Sequence, residues 1–163
     1  MSKPSRALHV EAQRLIGPRT FFITSNTWER RRLFRSVRMA KLFLAVLYHY
    51  RNESRYMLHE FSLMPEHFHL LVTLDAGISV EKAVQLIKGG FSFRARKETG
   101  FKGEIWQRGF SEHQVRDMGH FDICGDYIRQ NPVTEGLAPK PEEYQYCSAY
   151  PGFELDARPS FQG

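Results

Sequence analysis

Cysteine is scarce in this sequence, and long apolar runs are absent. The 163 residues include two cysteines, Cys124 and Cys147, which are too few for a disulfide framework and are not spaced like the ligands of a zinc finger or ribbon. No stretch approaches the roughly eighteen uncharged apolar residues of a membrane span, and the N-terminus lacks the apolar run of a signal peptide. We therefore expect a cytoplasmic protein with no membrane partner.

Internal repeats and low-complexity tracts are also missing, as is a GxxxxGK[ST] phosphate-binding loop, so the sequence does not indicate a solenoid or a P-loop nucleotide enzyme. The length suits one compact domain. We predict a single domain over residues 1–163, with a core at about 18–150 and an irregular tail at 139–163 that is rich in Pro, Gly and Tyr.

The charge is unbalanced towards cations. Lys and Arg number 23 against 18 Asp and Glu, which gives a net charge of +5 and a pI near 9.4. An excess of this sign favours a polyanionic partner, and nucleic acid is the first candidate. The basic residues concentrate in two segments, 30–41 and 88–102, although either segment alone is also typical of a solvated helix face.

Residue periodicity predicts an α+β fold. We expect strands at 20–24, 55–63, 67–74 and 105–110, with His59 on the same strand face as Met57 and Phe61. We expect a first helix at 30–50 and a last helix at 119–131, before Pro132. A helix between them should begin after Ser79 as its N-cap and be weakened or bent at Gly89–Gly90. This order is that of the ferredoxin-like split βαβ sheet with an added C-terminal helix, which could cross the face that the first two helices leave open.

Two histidines lie two residues apart in Pro65-Glu66-His67-Phe68-His69. On a strand, alternate side chains share a face, so His67 and His69 point one way while Phe68 and Leu70 point into a core. Imidazole is a common ligand for transition metals, and such a pair on a rigid strand needs only one or two more ligands. Histidines at strand ends are also often plain hydrogen-bonding groups.

A tyrosine and an amide follow on the last predicted helix. Tyr127 and Asn131 are four residues apart and therefore project from one helix face. A nearby divalent cation stabilises phenolate and polarises a phosphate, which suits covalent phosphodiester cleavage. Because Pro132 disfavours α geometry at Asn131, Gln130 is the alternative amide ligand. A tyrosine on a helix is more often a packing residue.

These motifs together resemble the HUH single-tyrosine transposases, and especially the REP-associated tyrosine transposases. The resemblance covers about 20–150 and rests on the order and spacing of three segments, which are Met64 to Val72, Trp106-Gln107 with Phe110, and Tyr127-Ile128 with Asn131-Pro132-Val133.

The resemblance implies a divalent metal, Mg²⁺ or Mn²⁺, held by His67, His69 and either Asn131 or Gln130. It implies Tyr127 as the nucleophile that cuts and rejoins single-stranded DNA near hairpins through a 5′-phosphotyrosine. Single-stranded or hairpin DNA would be the partner, and both monomers and homodimers occur in the family. From charge alone, we predict DNA contacts at Arg30, Arg31, Arg35, Lys88, Arg94 and Arg96.

Two positions depart from the family pattern. Glu66 replaces the commoner Asn or Asp, and we expect its side chain to face away from the metal site. Arg129 replaces a frequent His, and an arginine there could contact a DNA phosphate.

Other readings compete. A histidine-triad nucleotide hydrolase would need a third histidine where this chain has Leu71. The stronger alternative is a catalytically inactive module of the same fold that binds hairpin DNA or RNA without cutting it.

Overall fold

The computed structural model describes residues 17–161, so the predictions for the N-terminus before residue 17 and for the last two residues lie outside the described chain. The strands are β1 (Arg19–Asn26), β2 (Met57–Leu63), β3 (His67–Leu74) and β4 (Ser111–Val115), and the helices are α1 (Val37–Asn52), α2 (Val80–Thr99) and α3 (Met118–Thr134). All strand pairs are antiparallel, in the spatial order β2-β3-β1-β4. This confirms the predicted ferredoxin-like sheet.

Helices α1 and α2 cover one face of the sheet. The alternating apolar side chains of the central strands, such as Ile23 and Leu70, are fully buried there among residues of both helices. The two helices approach closely because Gly90 has no side chain, and a Cβ at this position would lie 3.0 Å from the ring of Tyr50. Helix α2 begins at the predicted cap, Ser79, and runs unbroken through both glycines.

Helix α3 crosses the opposite face, as the sequence suggested. Leu71 of β3 packs there with Phe121, Cys124 and Ile128 of the helix. Antiparallel register aligns Thr24 with His69 and Asn26 with His67, so both predicted metal ligands lie on this helix-crossed face.

The first helix begins later than predicted. Residues 28–30 and 33–35 form two short 3-10 turns, and α1 starts only after Ser36, whose hydroxyl accepts a hydrogen bond from Met39 N–H. Leu33 and Phe34 are still buried in the core. The apolar periodicity therefore continued through residues that are not α-helical.

The predicted fourth strand at 105–110 is wrong. Trp106 forms only an isolated bridge with Thr27, and its indole N–H donates to the carbonyl of Lys88 on α2. The true edge strand, β4, reads Ser-Glu-His-Gln-Val and is mostly exposed. A strand with so little buried surface carries no apolar alternation by which the sequence could reveal it.

His59 does not share a face with Phe61. The β2–β3 register shifts between Leu58 and Glu60, and this irregularity turns His59 towards α3. There His59 Nε2 is 2.7 Å from the Thr73 hydroxyl.

Pro132 does not end the last helix, which continues to Thr134. A proline in the last turn removes one N–H donor without ending the helix. Beyond it, Glu135 N–H donates to the carbonyl of Asn131 at 3.0 Å. Asn131 therefore keeps a place on the helix face.

The segment after α3 runs along the outer edge of β2. Tyr146 O accepts from Leu63 N–H, and Ser148 N–H donates to Phe61 O. Asp156 accepts from Leu58 N–H at 2.7 Å and pairs with Arg51. The segment thus covers backbone groups that an edge strand would otherwise expose. Within residues 17–161, no helix is long and apolar enough to cross a membrane.

Candidate active site

The two histidines of β3 meet at one point on the face covered by α3. His67 is 7% exposed and His69 is 5% exposed, and their Nε2 atoms lie 3.1 Å apart. The rings stand nearly perpendicular to each other. A period of two along a strand places both side chains on one face.

Each imidazole is held through its other nitrogen. Glu66 Oε1 accepts from His67 Nδ1 at 2.9 Å, and the Thr24 hydroxyl is 2.7 Å from His69 Nδ1. With both Nδ1 atoms protonated, both Nε2 lone pairs point at the same place. Histidines that ligate metals are usually fixed by such a carboxylate or hydroxyl partner. The expectation that Glu66 faces away is therefore wrong.

Electrostatics keep His69 uncharged. Burial, and secondarily the neighbouring His67, lower the pKa of His69 to about 3, although the amide of Asn131 acts in the opposite direction. A neutral imidazole is the form that binds a cation.

Helix α3 brings Tyr127 to the histidines. Its ring lies with its centroid 5.4 Å from that of His69 and 5.9 Å from that of Phe22, edge-on to both. The side chain is 53% exposed, so a ligand in solvent can reach it. The predicted nucleophile and the predicted metal ligands therefore lie together in one chain.

The two candidate amides point to different sides of α3. Asn131 is 5% exposed, and its side chain reaches His69, where no group within residues 17–161 makes a good hydrogen bond to its Oδ1 atom. Gln130 is exposed. A buried oxygen without a partner is costly, and a cation is one way to satisfy it.

These groups fit a divalent cation. Two ligands at right angles around an ion with bonds of about 2.1 Å lie about 3 Å apart, close to the 3.1 Å between the two Nε2 atoms. Two imidazoles and an amide oxygen form a mixed nitrogen and oxygen set, which suits Mn²⁺ and tolerates Mg²⁺. No cluster of three or more His, Cys, Asp and Glu side chains suited to a metal occurs in the described part of the chain.

Three arginines line a concavity beside the histidines. Arg30 and Arg35 belong to the two 3-10 turns before α1, and Arg32 lies between these turns. Together they line a pocket of about 420 Å³ that Glu66 and Glu135 also line. Arg30 lies 3.4 Å from Glu66. Of these residues, Arg30 and Arg35 were predicted from the sequence as DNA contacts, whereas Arg32 was not. Arg31, the third arginine predicted in this segment, instead lies over the ring of Phe101.

The basic residues of α2 lie on the helix that covers the other sheet face. Lys88 donates to the carbonyls of Gln107 and Gly109, and burial lowers its pKa. Arg94 pairs with Glu98, while Arg96 is exposed. The structure therefore does not bring these three together with the histidines.

Arg129 is engaged within the protein. Its guanidinium pairs with Glu60 on β2 and with Asp126 one turn earlier on α3. Glu60 in turn accepts from the Ser148 hydroxyl. These contacts connect the tyrosine helix, the sheet and the C-terminal segment.

Sequence reasoning missed Thr24 and Glu66 as partners of the histidines. Thr24 reaches His69 through antiparallel register, which local pattern does not reveal. His113 and Ile123, which line the opening beside Tyr127, were also missed. Ile123 is 68% exposed on α3, a position that the sequence alone did not reveal.

Known proteins resemble this chain in sequence and in fold. The model of the family described as "Transposase IS200 like" matches residues 22–131. A Haemophilus influenzae protein named "Putative REP-associated tyrosine transposase" is 28% identical over 111 residues, which span 62% of this chain and 63% of that protein.

Two solved structures share the fold. A REP-associated tyrosine transposase bound to a REP hairpin is 25% identical with a TM-score of 0.67, covering 100% of this chain and 94% of the other. A Deinococcus radiodurans R1 crystal structure, described as a "putative transposase", is 15% identical with a TM-score of 0.52, covering 84% and 98%. At that identity it supports the fold alone.

Proposed function

This chain belongs to the IS200-like transposase family, and from that membership we propose that it cuts and rejoins single-stranded DNA beside hairpins through a covalent bond to Tyr127. The observation that carries the proposal is the convergence of Tyr127, His67, His69 and Asn131 between β3 and α3. All four side chains belong to one chain, so one copy would supply both the proposed nucleophile and the three proposed metal ligands.

Tyr127 is the proposed nucleophile. Its phenol oxygen attacks a backbone phosphorus and loses its proton, while the bond from phosphorus to the 3′-oxygen breaks and that oxygen takes up a proton. The products are a 5′-phosphotyrosine and a free 3′-hydroxyl. Because the phosphodiester energy stays in the tyrosine linkage, a second 3′-hydroxyl can reverse the step and join a new strand.

His67, His69 and Asn131 are the proposed metal ligands, with Asn131 preferred over Gln130 because only Asn131 is buried against His69. A bound Mn²⁺ or Mg²⁺ would supply positive charge that favours phenolate and polarises the scissile phosphate. Glu66 and Thr24 hold the two rings, and burial keeps His69 neutral.

Hairpin DNA is the proposed substrate because the related solved structure is bound to a REP hairpin. The concavity of Arg30, Arg32 and Arg35 lies beside His67 through Glu66, where a strand entering the site would pass. Arginine side chains there would hold backbone phosphates and fix the position of the strand without reading its sequence.

The test is the formation of a protein–DNA adduct that survives denaturation. The protein would be incubated with Mn²⁺ and a labelled pool of hairpins that carry single-stranded flanks. We expect an adduct that a chelator and Tyr127→Phe each abolish, while Tyr127→Phe still binds the hairpin. Tyr144→Phe is the matched control, since it removes the same hydroxyl from a tyrosine that donates to the carbonyl of Leu63 on β2 and is not part of the proposed site.

Two results would contradict the proposal. An adduct formed by Tyr127→Phe would show that another residue is the nucleophile. Tight hairpin binding without any adduct from the wild-type protein would favour a binding module that does not cut.

A further inference from the structure

A groove opens beside Tyr127, between α3 and the β1–β4 side of the sheet. Ile123 and Tyr127 line it from the helix, and Phe22 and His113 line it from the two strands, where they are cross-strand partners. Its volume is about 430 Å³. We call it the α3–β4 groove.

The surface of this groove is apolar and aromatic. Ile123 is 68% exposed and Tyr127 is 53% exposed, one turn apart on the same side of α3. His69, Phe22 and His113 form a row of nearly parallel rings, with centroids 5.6 and 6.4 Å apart. This row extends from the histidine pair to the open edge of the sheet, where His113 is exposed.

The α3–β4 groove and the arginine concavity differ in the charge of the residues that line them. Among the described residues that line it, none is Lys, Arg, Asp or Glu. Beyond the metal that His69 would help to hold, the described lining of the groove offers a phosphate no Lys or Arg, whereas three arginines line the other pocket, next to Glu66. An uncharged, planar group with two apolar faces suits these walls, and Ser111 adds a hydroxyl to the lining.

We propose that the α3–β4 groove binds one unpaired nucleobase of the DNA strand next to the phosphate that Tyr127 attacks. This inference rests on the proposed function, because the position of Tyr127 is what identifies the occupant as DNA. The base packs between Ile123 on the helix side and Phe22 with His113 on the sheet side. A base held there cannot remain stacked in a duplex, which agrees with the single-stranded substrate already proposed.

The test compares two probes that carry the same phosphates. One is a short fluorescein-labelled oligothymidylate, and the other is an abasic oligomer of equal length. Binding is measured by anisotropy with a chelator present, so neither metal nor cleavage is required. We expect the wild-type protein to bind the probe with bases about tenfold more tightly, within the range for one stacked base.

The variant Ile123→Ala with His113→Ala should reduce this ratio to less than about threefold. Both side chains are exposed, so circular dichroism and melting should match the wild type. Phe93→Ala is the matched control, because Phe93 is 66% exposed on α2 and should leave the ratio unchanged. A 4-thiothymidine probe should crosslink to peptides of α3 or β4.

Equal binding of both probes by the wild-type protein would overturn the inference, as would an unchanged ratio in the double variant or crosslinks confined to α1 and α2. These outcomes are independent of the adduct assay. An adduct without a preference for bases would refute only the groove. A groove-dependent preference without any adduct would leave the groove established and refute the cleavage reaction.

Discussion

The carboxylate of Glu66 is hydrogen-bonded to the imidazole of the next residue, His67, with Oε1 2.9 Å from Nδ1. The same carboxylate lies 3.4 Å from Arg30, so it is held from two sides. A strand would have pointed adjacent side chains to opposite faces, but Glu66 precedes β3 and is not bound by that alternation. The contact fixes His67 with Nε2 directed at His69.

Replacing Glu66 should therefore weaken metal binding. We expect Glu66→Ala to lower Mn²⁺ affinity about 10- to 100-fold, the usual effect of removing the partner of a ligating histidine. Glu66→Gln keeps an oxygen acceptor and should lose less. Calorimetry of Mn²⁺ binding without DNA measures both, with the exposed Glu142→Ala as a control. Wild-type affinity in Glu66→Ala would show that the contact does not position a ligand.

The neighbouring amides give a matched pair of variants. Asn131→Ala removes a buried oxygen beside His69, whereas Gln130→Ala removes an exposed side chain. We expect Asn131→Ala to lose most of its Mn²⁺ affinity and its adduct formation, and Gln130→Ala to resemble the wild type. Manganese electron paramagnetic resonance titrations would show the difference. The reverse result would identify Gln130 as the ligand and require the end of α3 to rotate when metal binds.

Much of the candidate site could be predicted from the sequence because the residue spacings that mark it lie within single strands and helices. A period of two placed His67 and His69 on one face of β3, and a spacing of four placed Tyr127 and Asn131 on one face of α3. What the sequence could not show depends on contacts between distant segments. Thr24 meets His69 across the β1–β3 register, and an irregularity in β2 turns His59 towards α3.

Arg129 illustrates the same limit, because its partner Glu60 is 69 residues away in the chain. We expect Arg129→Leu to destabilise the protein by about 1–3 kcal/mol, since it leaves the poorly exposed Glu60 carboxylate without its cation. Adding Glu60→Leu should recover part of the loss. Urea denaturation measures both variants.

The DNA contact proposed for Arg129 from sequence makes a different prediction. If Arg129 holds a phosphate, Arg129→Leu should weaken hairpin binding. It should also lower the number of counterions released on binding, read from the salt dependence of the affinity, by about one. If its only partners are Glu60 and Asp126, hairpin affinity and salt slope should match the wild type in conditions where the variant is folded. Anisotropy titrations at several salt concentrations separate the two cases.

The neutral state of buried His69 should make the metal-free protein sensitive to acid. Its pKa in the folded state is about 3, whereas an unfolded histidine titrates near 6.5. Between these values the unfolded chain binds the extra proton, so stability is complete above about pH 6.5 and falls as the pH decreases towards 3, by up to about 1.4 kcal/mol per unit. Burial also lowers the pKa of His59, which adds to the fall.

Urea denaturation in the presence of chelator between pH 7.5 and pH 4.5 would measure this slope. We expect His69→Gln to flatten it, because glutamine does not titrate, while Gln130→Ala, which removes an exposed uncharged side chain of α3, should leave it unchanged. An equal slope in the wild type and in His69→Gln would mean that His69 already binds its proton in the folded protein above pH 4.5. That result would contradict the neutral imidazole on which the proposed metal site depends.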